Sequence, residues 1–130
     1  MKPYSRDRGA AAVEFALVVP ILIMLVMAIA AFGRAYNIQS SLSMAAREGV
    51  RVMAIEKDAT AAKSAASMAA QNLGFTIALG DIGATGCGGT PPSDAIVTVG
   101  YTFDFFGFGG FLGIPETVNM TGRGVMRCGG

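Results

Sequence analysis

Residues 9–33 read GAAAVEFALVVPILIMLVMAIAAFG, and from Phe15 to Phe32 eighteen consecutive residues carry no charge and no strong polar group. At about 1.5 Å per residue, a helix over this run and its flanks comes close to the roughly 30 Å hydrocarbon core of a bilayer. The run divides the chain of 130 residues into a short basic leader, an apolar helix over 10–33 and a remainder, 34–130, large enough for one modest core.

The composition fits that division. Hydrophobic residues make up 52% of the chain, much of the excess lying in this one segment, as in a membrane-tethered protein. Net charge is +1, and outside the leader no basic run is long enough for nucleic-acid binding. His is absent and there are two Cys, so no zinc site and no Ser-His or Cys-His nucleophile can be assembled. No carboxylate pair stands out. The chain reads as a non-enzyme with no catalytic residues, no metal or other cofactor and no small-molecule substrate.

The leader, MKPYSRDRG, sets Lys2, Arg6 and Arg8 against Asp7. Positive charge beside an apolar span favours a cytoplasmic amino terminus. Arg34, Arg47 and Arg51 lie soon after the span and weaken that signal. Three readings of the segment compete: a permanent single-pass anchor; a signal peptide cleaved after the small-x-small tripeptide Ala28-Ile29-Ala30; and a processed helix in which Glu14 has a specific task. Glu14 is a carboxylate just inside the apolar run. It either sits in the first turn, favoured by the helix dipole and reaching the headgroups, or pairs with a cation such as an amino terminus freed by a cut between Gly9 and Ala10.

Beyond Gly33 the pattern becomes amphipathic. Tyr36, Ile38, Leu42, Ala45, Ala46, Gly49, Val52 and Met53 recur near a 3.6-residue period, and no proline intervenes between Pro20 and Pro91. One helix is expected from about Ala12 to Ile55, its second half over 34–55. Arg47, Glu48 and Arg51 cluster on it; they form either a solvated face or contacts to another subunit. Asp58 is a good N-cap for a second helix over 59–73, with Gly74 as its stop.

The carboxyl-terminal half alternates with period two. Strands are expected at about 75–80 (Phe75, Ile77, Leu79), 95–105 and 117–128, as a three-stranded antiparallel sheet with one face on the helices. Gly122 and Gly124 mark a bulge or a close helix contact. The stretch Gly80–Asp94 reads as a flexible loop poor in core residues. The loop FFGFGGFLGIPE, 105–116, is unusually aromatic; Phe106, Phe108 and Phe111 either fold back on the core or touch a neighbouring subunit or lipid. Cys87 and Cys128, if translocated, meet an oxidising compartment. An intramolecular bridge is the expectation, with free thiols or an intermolecular bridge as the alternatives.

The run RGAAAVEF, with Gly9 five residues before Glu14, resembles the processing site of type IV prepilin-like proteins. The stretch from Arg8 to Arg51, including AAREGVR at 45–51, together with the closing GVMRC at 124–128, resembles the TadE-like pseudopilins of tight adherence (Flp-type) pilus systems. The resemblance implies cleavage after Gly9 by a prepilin peptidase, a processing or alignment role for Glu14, and a minor-pilin function. It also implies pilin or pseudopilin subunits and inner-membrane assembly proteins as partners, and a cytoplasmic-membrane location with the head outside. Loss of residues 1–9 would leave seven side-chain cations against eight anions. The expectation is an α+β protein with a long amino-terminal helix, a short second helix and a three-stranded antiparallel sheet. A second expectation is a membrane-anchored or signal-peptide-released binding or scaffold module with no pilus role.

Overall fold

The computed structural model describes residues 6–89, 93–105, 107, 109–110 and 113–128, with the backbone alone at 6 and 7. Among the described residues the elements are α1 over Arg6–Glu56, α2 over Ala59–Asn72, and a three-stranded antiparallel sheet of β1 over Ile82–Thr85, β2 over Ala95–Asp104 and β3 over Thr117–Met126. This is the α+β arrangement expected. The chain divides into two compact units, Met1–Arg34 and Ala35–Gly130.

In the first unit α1 is already helical at Arg6, the first described residue, six residues before the expected Ala12. A glycine inside a helix costs only about 1 kcal/mol, so Gly9 does not prevent the helix from extending this far. The helix runs unbroken through Pro20. Phe15, Leu17, Ile21 and Ile29 are each well over half exposed. The helix is long and apolar enough to cross a membrane, and none of its most apolar window is buried.

In the second unit the rest of α1 supplies one wall of the core. Ile38, Leu42, Ala45, Ala46, Val50, Met53 and Ala54 are buried. The expected stripe is largely present, with two shifts: Tyr36 is 79% exposed, and Val50 with Ala54 takes the place given to Val52. Tyr36 ends the apolar run rather than beginning the core.

α1 stops at Lys57, a left-handed residue (φ 55°) whose N–H reaches the Met53 carbonyl at 3.0 Å. Asp58 then caps α2, its carboxylate accepting from the Thr60 N–H at 2.8 Å. Gly74 (φ 94°) follows the last turn. Ala62, Ala66 and Ala70, at a four-residue spacing, form the buried edge of α2. They meet α1 at Gly49, where an added methyl would lie 2.9 Å from Ala66 Cβ and 3.1 Å from Val97 Cγ1. Helix, helix and central strand converge there.

The sheet order is β1-β2-β3. β2 buries Ala95, Val97, Val99 and Phe103 and turns Thr98, Thr102 and Asp104 outward. β3 pairs along its whole length, Ala95 with Met126 through Asp104 with Thr117, in one constant register. That register excludes the bulge reading of Gly122 and Gly124. Both glycines face α1: a methyl at Gly122 would strike the Leu42 carbonyl, and one at Gly124 the Ala46 carbonyl.

The strand expected at 75–80 lies elsewhere. The partner of β2 is Ile82–Thr85, inside the stretch read as a loop. Ile82 is 1% exposed and Ala84 shares its inward phase. Phe75 and Ile77 are apolar for a different reason: they tuck under α2, where the Ser67 hydroxyl donates to the Ile77 carbonyl at 3.4 Å. Leu79 begins a short 3-10 turn and is 53% exposed.

Candidate processing and assembly site

Gly9, Ala10 and Glu14 lie on the first turns of α1, all exposed. Residues four apart on a helix stand one above the other, with Cβ atoms about 5–6 Å apart. Glu14 is therefore the carboxylate one turn above Ala10, within side-chain reach of any charge placed at the Ala10 nitrogen. Gly9 adds two local properties. An added Cβ there would meet nothing within 4 Å, so the space beside Gly9 is open. Glycine also weakens the helix by about 1 kcal/mol relative to alanine.

Arg47, Glu48 and Arg51 stand on the solvent side of α1 in the second unit. Among the described residues no ion pair joins Glu48 to Arg51, although their spacing permits one. Beside Glu48 the surface opens into a groove of about 570 Å³ between α1 and α2. Met44, Met68 and Leu73 line it at 55%, 58% and 40% exposure. The sequence reading saw the charges and missed the groove. Its signal is Met44 one helical turn before Glu48, an apolar residue off the phase of the core.

The proposed aromatic contacts, Phe106, Phe108 and Phe111, lie outside the described residues. The loop that carries them is closed by Phe105 N–H donating to the Glu116 carbonyl at 2.9 Å. Phe105 itself packs edge-on against Phe103, ring centres 5.0 Å apart.

Cys87 and Cys128 are joined, with Cα atoms 5.4 Å apart. The bond ties the end of β3 to the loop after β1. Cys87 sits in the left-handed region (φ 61°), uncommon for a residue with a side chain. Its sulfur lies 3.4 Å from the Met53 carbonyl oxygen, and that of Cys128 lies 2.8 Å from the Ser93 carbonyl oxygen. A bonded sulfur has no proton to donate, so both are close contacts rather than hydrogen bonds.

The arrangement offers an exposed apolar helix with one carboxylate at its entrance, and a disulfide-closed head. Both suit anchoring and assembly. The chain matches no curated protein and no solved structure. Residues 9–51, a run that opens on Gly9 and closes on Arg51, match the family model described as TadE-like protein.

Proposed function

We propose that the chain is a membrane-anchored minor pilin of a tight adherence pilus system, processed by a prepilin peptidase between Gly9 and Ala10. One observation carries this reading: the TadE-like match begins at Gly9 and covers the apolar helix with Glu14 one turn in. The family is a structural pilus component and not an enzyme family. Processing removes the cationic leader and creates an ammonium at Ala10. Glu14 then neutralises that charge, in its own chain or a neighbour's, at the edge of a low-dielectric layer where an unpaired charge is costly. The apolar helix anchors the chain by its amino-terminal end. The head, covalently closed by Cys87–Cys128, stands outside the cytoplasm and takes part in starting or supporting fibre assembly. Other pilin or pseudopilin subunits and inner-membrane assembly proteins are its partners.

The test is the amino-terminal mass of carboxyl-tagged protein from its native host, with and without the host's prepilin peptidase. The expected start is Ala10, seen only when the peptidase is present. Glu14→Ala is expected to leave membrane anchoring intact and to reduce pilus assembly. A start at Met1 or Lys2 in both strains would overturn the proposal in favour of a permanent anchor, which the unbroken helix from Arg6 also allows. A start at Ala31 would make the head a released module.

A further inference from the structure

The groove between α1 and α2 has the chemistry of a docking slot. Its side chains Met44, Met68 and Leu73 are apolar and substantially exposed, and Ala65 and Ala69 are too short to fill it. Methionine adapts its shape to a partner more readily than a branched side chain does. Glu48 is the one charged residue lining it.

The same helix carries the complementary surface. At 3.6 residues per turn, Arg51 stands about 60° around α1 from Glu48, and Arg47 about 100° around on the same side. Both arginines are exposed and four residues apart, so they form one basic ridge alongside the slot. Copies anchored in one bilayer stand the same way round and meet side by side. Where the ridge of one copy enters the slot of the next, an arginine meets Glu48 and the arginine stems cover the methionines. A contact that set Glu48 against Glu48 would be repulsive. Charge complementarity therefore favours arrangements that set Glu48 against an arginine.

We infer that the α1–α2 groove receives the Arg47–Arg51 ridge of a second copy of this chain, with Glu48 as the acceptor. The inference rests on the anchored, assembling role proposed above and names the surface that role would use.

The test is chemical cross-linking of full-length chains in lipid nanodiscs with a short bis-maleimide, the native disulfide left intact. Two variants are mixed, Met68→Cys and Arg47→Cys. The expected result is a cross-link in the mixture and none in either variant alone. Adding Glu48→Arg to the Met68→Cys chain is expected to cut the yield about fivefold, the scale of one exposed charge pair. Placing Arg51→Glu in the Arg47→Cys chain is expected to restore it, which shows that the variants are folded. A cross-link within one variant alone, no cross-link in the mixture, or a yield indifferent to Glu48→Arg would each overturn the inference. The groove lies wholly within residues 44–73, so chains with and without residues 1–9 should behave alike. A Met1 start with a positive cross-link would remove the pilin reading and keep the slot. An Ala10 start with no cross-link would do the reverse.

Discussion

At the scale of single residues, the molecule depends on atoms that are missing. Gly122 lets β3 lie directly on the α1 backbone; a Cβ there would stand 2.8 Å from the Ser43 nitrogen and closer still to the Leu42 carbonyl. Backbone cannot swing aside as a side chain can, so the whole strand or helix must move. Gly122→Ala is therefore expected to destabilise the head by about 3 kcal/mol, the upper part of the usual overpacking range. Denaturant unfolding of the full-length protein in detergent, followed by near-ultraviolet circular dichroism, measures it. Gly80→Ala, where a Cβ meets nothing within 4 Å, is the control and should stay within about 0.5 kcal/mol of the parent. The sequence alone left Gly122 divided between a bulge and a helix contact. A glycine in a strand pattern has both meanings, and only the register of β3 against β2 separates them.

At the scale of elements, the helices were legible because their signals are local. The 3.6-residue stripe of α1, the Asp58 cap and the Gly74 stop are written within a few positions of the structure they produce. The cap can be tested by itself: Asp58→Ala is expected to cost about 1 kcal/mol in the same unfolding measurement, and Asp58→Asn much less, since asparagine keeps the acceptor for Thr60 N–H. β2 and β3 were legible from their alternation over ten residues. β1 was not, because it has four residues and two of its neighbours in sequence are glycines, which read as loop. Its one strong inward residue is Ile82. The competing alternation at Phe75 and Ile77 had the right period and a different cause, burial beneath α2. Gly83, paired with Thr98 of β2, takes one of the four positions with a residue of low strand propensity. A propensity argument then passes over the strand.

At the scale of the whole molecule, the long apolar helix was legible, since eighteen consecutive uncharged residues stand out from the rest of the chain. The groove beside Glu48 was not legible, because it is made by two helices whose relative placement no local pattern encodes. The cysteine pairing was legible as chemistry, and its position in the fold was not. The bond closes a span of 41 residues that contains all of β2 and β3. In the chain-entropy account a loop of that size stabilises by about 4 kcal/mol before strain is subtracted. Replacing both Cys87 and Cys128 by alanine is expected to lower the unfolding free energy of the full chain by about 2–4 kcal/mol, and reductant should lower the denaturation midpoint of the parent but not of the variant. The same bond has a mechanical consequence. A chain held in a membrane at one end and pulled from beyond Cys128 can lengthen only through residues outside the covalent ring. At about 3.4 Å per extended residue, roughly 140 Å of contour is withheld from any load the head bears. Even if every strand parted under tension, the tether would stay short, and β2 and β3 would remain close enough to find each other again when the load fell.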